Sequence, residues 1–207
     1  MPVTTEDLSA WVHAFADRVA DHKTHLTKLD SAIGDGDHGQ NMHRGLEAAR
    51  SRIDGRASPD ALLKSVAMAL ISKTGGASGP LYGTFFMDAG KAAPGDDAIA
   101  LDGWASMMRA GLDGVIRRGK ANVGDKTMVD AMTPAVDALQ EAAANGTDLA
   151  TALQQAARAA EEGMTATTPL VARKGRASYL GERSKGHQDP GATSTYYLFA
   201  AAADALT

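Results

Sequence analysis

The 207-residue chain contains no cysteine, few aromatic residues and no long apolar run. The lack of cysteine excludes disulfides and thiolate chemistry and fits a reducing compartment. Residues 1–7 carry neither the basic start nor the apolar run of a secretory signal, and no stretch is long enough to span a bilayer. A net charge of −4 provides no basic surface for nucleic acid. We therefore expect a cytoplasmic protein that binds neither nucleic acid nor membrane.

Alternating, strand-like segments are also absent, and apolar residues recur instead at helical spacing. Thr4 with Asp7 three residues later has the pattern of a capping box, and Ser58, followed by a proline and an acid, marks a second helix start. Later helices are expected over 127–143, 149–162 and 192–203. The last of these is expected to be capped by Thr193 or a neighbour. Mean helix and loop lengths then predict an all-α fold of about eight helices, and the lack of a Pro/Ser linker predicts a single domain over residues 1–207.

An acidic, glycine-rich loop is the most informative stretch that the sequence does contain. Asp30, Asp35 and Asp37 place three carboxylates within eight residues, and Gly34 and Gly36 separate them. Carboxylates at this density repel one another unless a strong positive charge lies among them. Hard divalent cations, above all Mg²⁺, take oxygen ligands of this kind and commonly share them with substrate phosphates. The loop therefore predicts a magnesium site.

Three other interpretations of the acidic loop compete with a magnesium site. A Ca²⁺ loop that began at Asp35 would require Gly and Glu where Gln40 and Leu46 stand. The run from Gly34 to Gly39 also matches the dinucleotide pattern G-x-G-x-x-G, but its two aspartates would repel a bare pyrophosphate. A purely structural Asp-Gly turn is the third alternative.

A second loop, residues 74–80, follows the helix that starts at Ser58 and contains three glycines. Small residues leave backbone N–H groups accessible, and the hydroxyls of Thr74 and Ser78 add donors. A loop of this kind at the start of a helix binds phosphate oxygens. A helix C-cap followed by a turn is the alternative, although it requires only one glycine.

A third loop, around residues 117–128, contains a false Walker A match. Gly114, Gly119 and Lys120 have the correct spacing, but Ala121 stands where Mg²⁺ requires Ser or Thr, and no strand precedes the motif. We interpret this loop as one wall of a purine pocket, with Gly119 allowing close approach and Met128 packing against the base. A basic surface turn with Met128 in the core is the alternative.

The fourth loop, residues 173–191, is long and rich in arginine and lysine. Long loops in compact domains are usually functional, and its cations would offset phosphate charge. Together the loops predict Mg²⁺ on the three aspartates, phosphates on the 74–79 loop and a basic cover. This is the chemistry of phosphoryl transfer, which needs chiefly positioning and charge neutralisation, here with two Mg²⁺ ions. A solvated charged loop is the simpler alternative for residues 173–191.

Four segments of the chain resemble the L subunit, the nucleotide-binding domain, of dihydroxyacetone kinases. They are residues 29–39, 75–82, 123–128 and 175–184, and they occur in the order found in that family. The resemblance implies an antiparallel barrel of eight helices with a nucleotide site in the loops at one end. It assigns no residue of this chain as the catalytic group.

The same resemblance implies which residues form the site. Two Mg²⁺ ions would be held by Asp30, Asp35 and Asp37, and ADP or ATP would be the bound nucleotide. The nucleotide would contact His38, Gly39, Gln40 and Asn41, with Ala77 and Ser78 at its phosphates, Gly119 and Met128 beside the adenine, and Arg176, Asp189, Pro190 and Gly191 completing the pocket.

In that family the triose is held by a histidine on a separate K subunit, and nothing in residues 1–207 resembles that domain. The resemblance implies that a phosphohistidine carrier, the M subunit of the phosphotransferase system, recharges the bound ADP. One alternative is a subunit that exchanges free ATP and phosphorylates another small sugar. Another is a non-catalytic helical module whose acidic loop binds Ca²⁺ or a basic partner. The oligomeric state stays open, a homodimer included.

Overall fold

The computed structural model describes residues 2–54, 57–95 and 98–206. The helices found there are α1 (Thr5–Asp21), α2 (Lys23–Ile33), α3 (His38–Arg50), α4 (Pro59–Lys73), α5 (Ser78–Lys91), α6 (Leu101–Gly119), α7 (Met128–Ala144), α8 (Leu149–Ala166) and α9 (Pro190–Ala205). A 3₁₀ helix, Arg176–Ser184, lies between α8 and α9. In the same residues the β-structure is limited to one isolated bridge between Val3 and Ile99. The all-α fold predicted from the sequence is confirmed.

Local sequence explains most helix starts. The predicted capping box at Thr4 is present, since Asp7 Oδ2 accepts from Thr4 N at 2.8 Å and Thr4 Oγ1 accepts from Asp7 N at 3.3 Å. The predicted cap of the last helix is wrong. Helix α9 starts at Pro190, two residues early, because Asp189 is its cap and accepts from Ala192 N through Oδ2 at 2.7 Å. A proline in the first turn costs no hydrogen bond and has the φ that a helix needs.

The helices form a closed ring around an apolar core. From α3 to α9 each helix packs against the next one in the chain, and α1 packs against both α9 and α3. From α3 to α8 the connections have at most nine residues, and such short connections make consecutive helices run antiparallel, whereas residues 167–189 separate α8 from α9. The rings of Trp11 and Trp104 meet edge to face in the core with their centroids 4.9 Å apart, and Trp11 Nε1 donates to the carbonyl of Leu198 at 3.0 Å. Burial of these large side chains supplies the main driving force for folding.

The antiparallel order places the start of every second helix at the same end of the barrel. Helices α3, α5, α7 and α9 begin at His38, Ser78, Met128 and Pro190, and these four residues line one cavity. The first turn of a helix has free N–H groups and carries a partial positive charge. The fold therefore collects four anion-favouring helix ends around one space. Among the described residues, no helix is both long enough and apolar enough to cross a membrane.

Candidate functional site

The cavity at this end of the barrel has a volume of about 510 Å³. All four loops singled out in the sequence contribute to its wall. Its size lies within the range of roughly 300–1,000 Å³ typical of small-molecule sites. Long-range packing thus brings together segments that are up to 161 positions apart, from Asp30 to Gly191.

The three aspartates of the acidic loop converge at this cavity. One carboxylate oxygen from each of Asp30, Asp35 and Asp37 lies within 4.8 Å of the others. Asp30, in the last turn of α2, is nearly buried, and its Oδ2 accepts from the backbone N–H groups of Asp37 at 2.8 Å and His38 at 3.0 Å. These bonds fix the loop at the start of α3. They leave Oδ1 of Asp30 directed to Gly34, where a Cβ would lie 3.0 Å from Asp30 Cγ and closer still to Oδ1.

Arg176 connects the acidic cluster to the 3₁₀ helix. Its Nη1 lies 2.8 Å from Oδ2 of Asp35, and both side chains are partly exposed. An ion pair this accessible contributes at most about 1 kcal/mol to stability. Its consequence is positional, because it holds a cation against Asp35 in the acidic cluster.

His38 is the centre of a buried hydrogen-bond network. Its Nδ1 lies 3.1 Å from Ser78 Oγ and its Nε2 lies 3.0 Å from Ser194 Oγ, which in turn lies 2.7 Å from the hydroxyl of Tyr82. Burial lowers the pKa of His38 to about 4, although the neighbouring carboxylates act in the opposite direction. The imidazole is therefore neutral at pH 7, with one nitrogen donating and the other accepting. This network joins the starts of α3, α5 and α9.

The 75–78 loop lines the cavity through Gly75, Gly76, Ala77 and Ser78. Thr74, the other hydroxyl considered in the sequence, does not line it. Its side chain is buried against the helix α3, where only a glycine, Gly45, leaves room for it. Backbone N–H groups and Ser78 are thus the donors that this loop can offer.

Asp189, Pro190 and Gly191 form the opposite wall at the start of α9. Burial raises the pKa of Asp189 to about 7. The carboxyl group nevertheless caps α9, and Gly191 is needed beside it, because a Cβ there would lie 3.0 Å from Asp189 Oδ2. Gly119 and Met128 also line the cavity, and Met128 belongs to the apolar core as well. Met128 therefore lies both at the cavity wall and in the core, and its packing against a base stays a prediction.

The remaining three predicted nucleotide contacts are not brought to the cavity wall. Gly39 lies where α3 crosses α2, and any side chain there would overlap the backbone carbonyl of Lys23. Gln40 is exposed to solvent. Asn41 is buried beneath Gly75, whose absent Cβ would lie 2.6 Å from Asn41 Oδ1. Asn41 supports the second loop from behind.

Lys174 lines the cavity with the positive charge that the sequence analysis expected of the fourth loop. Arg118 and Lys126 also line it, without having been assigned a role from the sequence, and Lys126 has only 1% of its surface exposed. Desolvation by burial lowers the pKa of Lys126. A lone lysine between Asp125 and Thr127 has no sequence signal of burial, because its environment is built by segments more than 40 residues away.

Comparison with known proteins identifies the family of this chain. The family model of the DAK2 domain matches residues 32–204. The chain is 43% identical over 200 residues to the ADP-binding subunit DhaL of the PEP-dependent dihydroxyacetone kinase of Escherichia coli (strain K12), covering 96% of this chain and 95% of that one. It is 41% identical over 201 residues to the ADP-binding subunit DhaL of the PTS-dependent dihydroxyacetone kinase of Lactococcus lactis subsp. lactis (strain IL1403), covering 95% of each.

The fold is also similar to a solved structure, the dihydroxyacetone kinase from C. freundii in complex with AMP-PNP and Mg²⁺. The TM-score is 0.74 and the sequence identity 27%. The match covers 99% of this chain but only 34% of that longer one.

The chain therefore belongs to the DAK2-domain family. Within it, the chain is of the DhaL type, the ADP-binding subunits of dihydroxyacetone kinases. These relatives are named as subunits of dihydroxyacetone kinases, which are phosphotransferases.

Proposed function

We propose that the chain binds ADP or ATP together with Mg²⁺ and passes a phosphoryl group to dihydroxyacetone held on a separate K subunit. A phosphohistidine carrier of the phosphotransferase system then converts the bound ADP back to ATP. One observation carries the proposal. Three carboxylates converge at the mouth of a cavity into which four helix N-termini open. The four helix N-termini favour an anion with a high negative charge, and the three carboxylates favour the metal ion bound to that anion.

The acidic cluster fits magnesium. Its donor set is oxygen only, as hard cations require, and Oδ1 of Asp30 keeps free lone pairs because Oδ2 accepts both backbone hydrogen bonds. Asp37 adds two oxygens, and Asp35 adds Oδ1 while its Oδ2 pairs with Arg176, so we propose that the three side chains hold two ions. Bound Mg²⁺ neutralises the charge of phosphate oxygens during phosphoryl transfer.

The cavity wall beside the cluster fits a nucleotide. The backbone of Gly75, Gly76 and Ala77 and the hydroxyl of Ser78 supply donors for phosphate oxygens. An apolar part of the wall, which includes Met128, suits the flat face of a base. Gly119 borders the same space, and in the proposed complex it allows the adenine to approach the backbone closely.

The chain's own residues then orient and shield the phosphates. Neutral His38 holds Ser78 in place without adding a charge. Arg176 stands above the carboxylates, where it would close the site and offset phosphate charge. Asp189, Pro190 and Gly191 bound the opposite side. We assign Gly39 and Asn41 to the support of this wall rather than to its surface, whereas Gln40 faces solvent.

Calorimetric titration with ADP tests the binding proposal. We expect the wild-type protein to bind ADP in the presence of Mg²⁺ and to lose most of this affinity in EDTA. Asp35→Ala should abolish the Mg²⁺-dependent part, because it removes one of the three carboxylates. Asp21→Ala, a change at an exposed aspartate at the end of α1, is the matched control and should bind as the wild type does. Equal affinity with and without Mg²⁺, or no binding at all, would refute the proposal.

A second candidate is a subunit that exchanges its nucleotide with free ATP. It is favoured by the similarity to a dihydroxyacetone kinase solved with the ATP analogue AMP-PNP. Protein loaded with radiolabelled ADP distinguishes the two. Under the first proposal the label stays bound in excess ATP and becomes ATP when the phosphohistidine carrier is added. Rapid displacement of the label by ATP would favour the second candidate.

A further inference from the structure

The side chain of Lys126 connects three parts of the chain at the wall of the cavity. Its Nζ donates to the carbonyl oxygens of Thr167 at 2.7 Å and Leu170 at 3.1 Å, just beyond the end of α8. It also donates to the carbonyl of His187, two residues before the cap of α9. Every direct partner of this ammonium group is a backbone carbonyl, and no carboxylate among the described residues forms a salt bridge with it.

A lysine at this position is costly to the fold. Its backbone is left-handed, with φ of 63°, which disfavours any residue with a side chain. Its charge is also buried away from water, and the nearby carboxyl groups of Asp130 and Asp189 offset the cost of this burial only in part. Strain and buried charge of this kind persist only where the surroundings require them. The carbonyl groups at this position can only accept hydrogen bonds, so they require a group that only donates, as an ammonium does. A helix C-terminus also favours a positive charge.

The turn that contains Asp125 and Lys126 anchors both ends of residues 173–187, the stretch that carries Arg176. We call this stretch the covering segment. At its beginning, the carbonyl of Asp125 accepts from Arg173 N at 3.0 Å. At its end, Lys126 holds the carbonyl of His187, and Gly186 N donates to Thr168 O at 2.8 Å. The two anchoring residues, Asp125 and Lys126, are consecutive in the turn, whereas the residues they hold, Arg173 and His187, are 14 positions apart.

Between these anchors the covering segment is held by few contacts. They are a small apolar cluster around Ile33 and Ala177, the ion pair of Arg176 with Asp35, and the buried Ser184, whose Oγ accepts from Ala172 N at 2.9 Å. The segment also contains three glycines with positive φ and open space around them, Gly175, Gly181 and Gly186. The position of Arg176 therefore depends on how firmly the two ends are fixed.

We infer that Lys126 is a positioning residue: its ammonium group fixes the end of the covering segment and so determines where Arg176 stands over the acidic cluster. The inference rests on the proposed function, because the consequence it predicts is tighter retention of ADP. Lys126 acts through Arg176, because its ammonium group donates to backbone carbonyls.

A double-mutant cycle on ADP release tests this inference. Fluorescently labelled ADP, bound with Mg²⁺, is chased with unlabelled ADP from the wild type, Lys126→Met, Arg176→Gln and the double variant. We expect each single change to speed release roughly tenfold, which corresponds to the loss of one charge-assisted hydrogen bond. If Lys126 acts through Arg176, the double variant releases ADP no faster than the faster single variant. Lys126→Arg, which keeps the charge and the donors, should restore much of the retention.

Asp148→Ala is the control for a merely structural role. It removes the cap at the other end of α8 and should lower stability without changing ADP release. Release at the wild-type rate from Lys126→Met, or a double variant that multiplies the two single effects, would overturn the inference. If Lys126→Met does not fold, Lys126→Gln takes its place in the cycle.

A second readout does not depend on nucleotide. The covering segment contains several trypsin sites, among them Arg173, Lys174 and Lys185. Lys126→Met should be cleaved there several times faster than the wild type, whereas Asp148→Ala should not. Failure of the wild type to bind ADP would contradict the proposed function alone. Unchanged cleavage would contradict the role of Lys126.

Discussion

Replacement of Asp189 by asparagine should remove a pH dependence from the stability of the nucleotide-free protein. The carboxyl group caps α9 through Oδ2, and asparagine is an equally good helix cap, so the hydrogen bond to Ala192 N is preserved. What the substitution removes is the titration. Burial raises the pKa of Asp189 from 3.8 to about 7, with a further increase from the charge of Asp130 and a partial decrease from Lys126.

The sign of this pH dependence follows from which state, folded or unfolded, binds the proton of Asp189 more tightly. Because the folded protein has the higher pKa, it binds the proton more tightly than the unfolded chain does. The stabilising contribution is therefore complete below the unfolded pKa of 3.8 and is lost as the pH rises through the folded pKa of about 7. With one pKa unit equal to about 1.36 kcal/mol, the loss between about pH 5 and pH 8 is roughly 2.5 kcal/mol.

Urea unfolding at a series of pH values, followed by circular dichroism, measures this loss. The quantity that matters is the difference in unfolding free energy between wild type and Asp189→Asn, since all other titrating groups cancel. We expect the wild type to lose roughly 2.5 kcal/mol relative to the variant between about pH 5 and pH 8. A constant difference over this range would refute the argument that burial controls this carboxyl group.

Two further substitutions have expected outcomes. Gly34→Ala should weaken Mn²⁺ binding, measured by electron paramagnetic resonance as a substitute for Mg²⁺, because the new Cβ would displace the carboxylate of Asp30. Gly95→Ala, where a Cβ has open space, is its control, and equal Mn²⁺ affinity of the two variants would contradict the assignment. Trp11→Ala should lower the unfolding free energy by about 3–5 kcal/mol in urea titrations, since it opens a core cavity and leaves the carbonyl of Leu198 without its donor. A loss below about 1 kcal/mol would contradict the central place of Trp11 in the core.

The sequence predicted the features that depend on neighbours along the chain. The capping box at Thr4 and the all-α class depend on hydrogen bonds and periodicity within a few residues, and both are confirmed. The start of α9 was missed, because Thr193 has a favourable residue type but Asp189 and the proline beside it make the stronger helix start. The 3₁₀ helix inside the fourth loop was not predicted either.

Predictions for the site divide along the same line. The sequence indicated the three aspartates because their mutual repulsion within eight residues is a local fact. It did not distinguish Ser78, which lines the cavity, from Thr74, which is buried elsewhere. It also did not separate Asn41 from the residues at the wall. These differences depend on which side of a helix faces the cavity once its neighbours are packed.

By itself, the sequence determined that the chain is helical, that its family is DhaL-like and that an acidic loop is available for a divalent cation. Only the tertiary structure decided which side chains meet. It gathered four helix N-termini at one end, buried Lys126 against carbonyls more than 40 residues away, and set Arg176 over Asp35. The physical reason is the distance along the chain over which each kind of interaction acts. Capping, periodicity and charge density act between near neighbours, whereas burial and convergence arise from packing between segments that are distant in the chain.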